Sequence, residues 1–96
     1  MKTLVLKNIV RNSSSNKEGL VLFDALQKAY LNEEQLLLYV DSDLSMSSSF
    51  LNTSIGSFLD KYGYINFKET VRFKGSKNQF LRLKSYINSY KDLYLA

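Results

Sequence analysis

Leu36-Leu-Leu-Tyr-Val40, Asp41-Ser-Asp-Leu-Ser-Met-Ser-Ser-Ser49 and Phe50-Leu-Asn-Thr-Ser-Ile-Gly-Ser-Phe-Leu-Asp-Lys-Tyr62 follow one another without a break. The first is a short, continuously apolar run, which predicts a central strand buried on both faces. The second is acidic and serine-rich, as in a turn. In the third, Leu51, Ile55, Phe58, Leu59 and Tyr62 recur at i, i+4, i+7, i+8 and i+11, the period of an amphipathic helix. Gly63 can end that helix in a left-handed conformation. A strand, a turn and a helix in this order are the repeating unit of an α/β fold. The turn sets Ser47, Ser48 and Ser49 at the helix start, where unpaired N–H groups and the dipole favour a serine cap or an anionic group.

The flanking segments repeat the unit. Thr3 to Val10 is rich in Leu, Val and Ile and reads as a strand. A polar loop, residues 12–16, follows. Ser15-Asn-Lys-Glu18 is the pattern of a capping box. It opens a helix expected from about Lys17 to Leu31, with Leu22, Phe23, Leu26, Ala29 and Tyr30 facing inward. Beyond Gly63, Phe67, Val71 and Phe73 alternate with Lys68, Thr70 and Arg72, the pattern of a strand with one wetter face. Ser76-Lys-Asn-Gln79 is a second capping box. A last helix is expected from Lys77 to about Leu93, with Phe80, Leu83, Ile87, Tyr90 and Tyr94 inward. The expected order is βαβαβα, a small, mainly parallel or mixed sheet with helices on it, forming a single domain over residues 1–96.

Composition narrows the chemistry. The 96 residues hold 45% apolar and 23% charged side chains, ordinary for a soluble globular chain. Neither cysteine nor histidine occurs, which removes disulfides, thiol nucleophiles, the Ser-His-Asp triad and the commonest metal ligand. The Asp41-x-Asp43-x-Ser45 start of a calcium loop lacks glycine at its sixth position and glutamate at its twelfth; Met46 and Asn52 stand there. An aspartate-based phosphoryl-transfer site would need a further carboxylate pair, but Asp60, Glu69 and Asp92 are scattered singly. No catalytic residue, cofactor or metal site is expected. No apolar run reaches membrane-spanning length, the start reads as a strand rather than a signal peptide, and a cytoplasmic home is expected.

The segment from Leu36 to Gly63 resembles the STAS-like domain of unknown function, through Leu-Leu-Leu-Tyr-Val-Asp41, Met46-Ser-Ser-Ser-Phe-Leu-Asn52, Ile55-Gly56, Leu59 and Tyr62-Gly63. It is more distantly similar to the STAS domains of anti-sigma factor antagonists. The resemblance covers about Lys17 to Phe73. In those antagonists the comparable turn reads Asp-Ser-Ser-Gly, and a GHKL-type ATP-binding kinase that is also the anti-sigma factor phosphorylates its first serine. On that pattern Ser47 falls on the aspartate, Ser48 on the phosphorylated serine, Ser49 on the second serine and Phe50 on the glycine, so two of the four positions depart.

The resemblance implies a non-enzymatic regulatory domain that binds another protein and switches partners. Ser48 would be its phosphorylation site, with the added phosphate repelled by Asp41 and Asp43. Its docking surface would comprise Ser47, Ser48, Ser49 and, on the exposed helix face, Asn52, Thr53 and Ser57.

The alternative rests on charge. Residues 1–66 carry six basic and seven acidic side chains, and residues 67–96 carry seven and two, so the net charge of +4 belongs to the last third. Lys77, Lys84 and Lys91 recur every seven residues, beside Arg82 and the tyrosines at 86, 90 and 94. Basic and aromatic stripes can hold single-stranded nucleic acid. No nucleic-acid motif accompanies them, so this reading ranks second, and a hydrolase or transferase ranks third.

Overall fold

The computed structural model describes residues 2–11 and 15–91; the loop residues 12–14 and the expected helix end at Leu93 and Tyr94 lie outside the described residues. The elements run β1 (Lys2–Val5), α1 (Leu6–Ile9), α2 (Asn16–Leu31), β2 (Leu36–Tyr39), α3 (Ser48–Leu51), a π-helical segment (Asn52–Gly56), α4 (Ser57–Tyr62), α5 (Tyr64–Thr70), β3 (Val71–Lys74) and α6 (Lys77–Tyr90). The order therefore departs from a plain βαβαβα alternation, because each crossover between strands carries more than one helical piece.

The three strands form one wholly parallel sheet in the order β1-β2-β3. Parallel neighbours cannot be joined by a tight turn, so each pair needs a crossover. Two crossovers of one hand, stepping in one direction, lie on one face of the sheet. The burial agrees. Leu36 and Leu38 of β2 are buried with Val71 of β3 in the same core as Leu22 and Leu26 of α2 and Phe50, Ile55 and Phe58 of the helical rod. Leu37 and Tyr39, which point the other way, are only half-buried, beside exposed Thr3, Arg72 and Lys74. The central strand is thus buried on one face, not on both. An unbroken apolar run carries no marker of which alternate residues lack cover.

Two strands are shorter than expected. β1 stops at Val5, level with Tyr39 of β2. Beyond that rung the chain after β2 turns away, with Leu44 N–H donating to Asp41 C=O at 3.1 Å, so a longer β1 would have no ladder partner. The chain bends into α1 and sinks Leu6 fully into the core. The strand expected to include Phe67 begins only at Val71, and Tyr64 to Thr70 is helix. A strand from 67 would have turned Glu69 inward with Phe67 and Val71. As helix, the segment buries Phe67 and Thr70, three residues apart, and leaves Lys68 and Glu69 in water. Phe67 meets Phe58 edge-on at 5.7 Å, within an aromatic cluster completed by Tyr30 and Tyr62.

α3, the π segment and α4 form one unbroken rod from residue 48 to residue 62. Its middle holds Asn52, Thr53 and Ser54, weak helix formers, and the hydroxyls of Thr53, Ser54 and Ser57 compete for backbone carbonyls. Thr53 Oγ1 donates to Ser49 C=O (3.0 Å) and Phe50 C=O (3.2 Å), Ser54 Oγ to Phe50 C=O (2.7 Å) and Ser57 Oγ to Asn52 C=O (3.3 Å). Such competition accounts for the wider π turn. Leu51, Ile55, Phe58 and Leu59 all stay inward through it. Gly63, at φ 87°, ends the rod where a side chain would be strained.

Candidate protein-binding site at the serine turn

The site is built on the loop that leaves β2. Val40 is buried and donates its N–H to Lys74 C=O at 2.9 Å, carrying the chain one residue past the last ladder rung. Asp41 to Leu44 then form a β-turn. Asp41 and Asp43 lie 3.9 and 3.7 Å from Lys7 Nζ on α1. An exposed pair is worth at most about 1 kcal/mol. Its larger effect here is to set a cation beside the two carboxylates that would otherwise repel a second anion.

Gln79 fixes the turn to α6. Its side chain is only 7% exposed. Its amide nitrogen donates to Asp41 C=O and, at 2.7 Å, to Leu44 C=O. Its amide oxygen accepts from Ser76 N–H at 3.2 Å, while Ser76 Oγ accepts from Gln79 N–H, completing the expected capping box. One residue thus starts α6 and clamps the serine turn. Each of these part-buried hydrogen bonds contributes about 0.5–1.5 kcal/mol net. The sequence marked Gln79 as a cap; its second role depends on a fold contact 38 residues away. The earlier box, at Ser15, is half made. Ser15 Oγ accepts from Glu18 N–H, but the Glu18 carboxylate accepts from Arg11 N–H instead.

The three serines have different surroundings. Ser47 is the cap of the rod: its Oγ accepts from Phe50 N–H at 3.1 Å. Ser48 and Ser49 are exposed. Ser48 Oγ accepts from Arg82 Nη2 at 3.2 Å, and Arg82 Nε donates to Met46 C=O at 3.2 Å. Arg82 therefore reaches across from α6 to hold the turn and places its guanidinium on Ser48. A cavity of about 440 Å³ adjoins them, lined by Ser42, Ser45, Ser76, Asn78, Gln79 and Arg82. It lies beyond the carboxyl ends of β2 and β3, beside the start of α6.

The rest of the expected surface is divided. Asn52 is exposed, and its side-chain oxygen accepts from Tyr86 Oη at 2.7 Å. Thr53 is half-buried against Gly19 of α2. Ser57 is half-buried as well. Thr53 thus serves the packing of the rod on α2, while Asn52 continues the seam between the rod and α6 that Arg82 begins. Of the basic candidates, Arg82 faces the turn, Lys77 and Lys84 are exposed, and Lys91 Nζ sits 4.0 Å above the Tyr64 ring. Arg82 therefore faces away from Lys77, Lys84 and Lys91, whose seven-residue spacing keeps them near one side of α6. Phe80, expected inward, is 49% exposed; Gln79 takes the buried position beside it.

Among the described residues, no three acidic side chains come together to hold a metal ion. No described helix is long and apolar enough to cross a membrane. Comparison of the chain with protein-family models, with curated proteins and with solved structures finds no match.

Proposed function

We propose that this chain is a non-enzymatic regulatory domain of STAS-like kind, which binds another protein through the serine turn and is switched by charge at Ser48. The observation that carries this reading is the division of labour in the turn. Ser47 does the capping, which leaves the Ser48 hydroxyl exposed and faced by the Arg82 guanidinium. A phosphate on Ser48 would bring about −1.5 to −2 charges within reach of Arg82, a pairing that favours charge-assisted hydrogen bonds. Lys7, held between Asp41 and Asp43, offsets the repulsion that those carboxylates would exert. The fold would therefore tolerate the modification while the surface offered to a partner changed sign.

The partner that suits this reading is a GHKL-type ATP-binding kinase. In the transfer, Ser48 Oγ would attack the γ-phosphorus of ATP held by the kinase, ADP would leave, and the hydroxyl proton would pass to a base on the kinase. Binding of the unmodified turn and its later release would be the two states of the switch.

Amide hydrogen exchange tests where the partner sits. The partner is captured from the native cell extract, purified, and added to the chain. Protection is expected over residues 44–52 and at the Arg82 turn of α6, because these form one surface. Protection confined to α2 or to the β1 edge would overturn the reading.

A further inference from the structure

α6 has a second face, turned away from the serine turn. At 100° per residue, Phe80, Lys84, Ile87 and Lys91 follow one side of the helix, whereas Arg82 and Tyr86 face the rod. Phe80, Leu83, Lys84, Ile87 and Asn88 line a groove of about 260 Å³ with Tyr64 at the start of α5. Of the apolar lining, Phe80 is 49% exposed, Tyr64 and Ile87 are half-buried, and Leu83 forms the buried floor. A lone exposed apolar residue is ordinary; here Phe80 rims a concavity whose other apolar walls are only partly covered, as at a contact surface. The groove is below the ~300–1,000 Å³ of small-molecule sites, so it suits one or two apolar side chains of a docked segment.

We infer that this groove is the docking site for an acidic amphipathic helix of a protein partner, an inference that rests on the protein-binding function proposed above and supplies the partner's chemistry. The argument for the occupant is charge. α6 and the residue after it carry Lys77, Arg82, Lys84 and Lys91 and no acidic side chain. Lys84 stands in the groove wall and Lys91 at its end, over Tyr64. An incoming helix would seat apolar residues at i, i+3, i+4 and i+7 between Phe80 and Ile87. Carboxylates on its flanks would meet Lys84 and Lys91. The same feature disfavours a second copy of the chain, which would set two basic helices against each other. Single-stranded nucleic acid fits less well. It needs open aromatic faces for stacking, whereas Tyr64 is covered by Lys91, Phe80 leans on Phe73 at 6.3 Å, and the remaining lining, Leu83, Lys84, Ile87 and Asn88, has no ring.

The probe is a fluorescent synthetic peptide of about 18 residues, longer than the ~12–15 below which isolated helices are marginal. It carries Leu and Phe on one face and Glu elsewhere; a control peptide has Lys in place of every Glu. The acidic peptide is expected to bind at least about tenfold more tightly than its lysine counterpart, with backbone amide shifts centred on Tyr64, Phe80, Lys84 and Ile87. Phe80→Glu and Lys84→Glu should each weaken it by about tenfold or more. Lys84 is exposed, so its variant keeps the fold even if Phe80→Glu does not.

Equal affinities for the two peptides, or no saturation by about 1 mM of the acidic one, would overturn the groove. So would tighter binding of an oligothymidylate, or self-association through this face in sedimentation. Shifts centred on Ser48 and Arg82 instead would overturn the groove while leaving the protein-binding function standing. Loss of partner binding at the serine turn with the groove shifts intact would do the reverse.

Discussion

Leu38→Asp is expected to abolish cooperative folding. Leu38 lies at the centre of the middle strand, 1% exposed, between Leu4 and Phe73 on the neighbouring strands. Removing its side chain costs about 2–5 kcal/mol. Burying an unpaired carboxylate adds several more, and none of the described buried residues is a cation. The sum is comparable to the whole stability of a domain this size, roughly 5–15 kcal/mol. Leu37→Asp, one residue earlier, is expected to stay folded with a lowered melting temperature, because Leu37 faces the half-covered side of the sheet. Far-UV circular dichroism during heating separates the two. If both variants unfold alike, the sheet is covered on both faces; if neither does, β2 is not the central strand.

Gly19→Ala is expected to destabilise, against the sign that helix propensity gives. In an exposed helix interior, Ala is better than Gly by about 1 kcal/mol. Here an added Cβ would lie 1.8 Å from Thr53 Oγ1 and 2.8 Å from Phe50 C=O, where α2 crosses the rod. Overpacking of this kind costs about 1–3 kcal/mol. For a domain of this length that is a fall in Tm of roughly 4–8 °C per kcal/mol. Thr53→Ala removes the nearest of the two oxygens. In that background Gly19→Ala should cost less, with a coupling of at least about 0.5 kcal/mol. The Phe50 carbonyl stays in place, so the recovery should be partial. A rise in Tm for Gly19→Ala alone would show that the two helices are farther apart than described.

The contrast between these two sites shows what the sequence could reveal. Leu38 was legible, because an apolar run between polar turns has few other fates. The capping box at Ser76 was legible, since both partners lie within four residues. Gly19 gave no signal of its own, because its neighbour Thr53 is 34 positions away and a glycine in a helical pattern reads only as a weak point. The π turn was hidden in the same way. The apolar positions of the rod fit a regular helix well enough, and only the hydroxyls of Thr53, Ser54 and Ser57 bias the backbone toward the wider turn. The strand near Phe67 was misread because Phe67, Val71 and Phe73 suggest alternation until Glu69 is placed between them.

At the candidate site the serines were visible as a group, and the fold assigns their individual surroundings. Sequence alone did not say which serine would cap. The answer follows from where the rod begins, and that leaves Ser48 exposed. Arg82 was noticed for its charge and set, as a nucleic-acid candidate, beside the stripe of Lys77, Lys84 and Lys91. Its hydrogen bonds to Met46 C=O and Ser48 Oγ join the two halves of the chain, a contact that local periodicity cannot anticipate.

The central claim is that charge at residue 48 sets the affinity for a protein partner. The most direct measurement is a titration of the purified partner with the wild-type chain, Ser48→Ala and Ser48→Asp, each checked for an unchanged melt. Ser47 holds the cap, so both variants are expected to fold, and an aspartate at 48 can pair with Arg82 at a gain of at most about 1 kcal/mol. Wild type and Ser48→Ala are expected to bind alike. Ser48→Asp is expected to bind about tenfold or more weakly, equivalent to ~1.4 kcal/mol, because the new charge must be desolvated against a surface fitted to a neutral hydroxyl. Equal affinities for all three chains would contradict the claim and leave Ser48 as an exposed residue with no part in a switch.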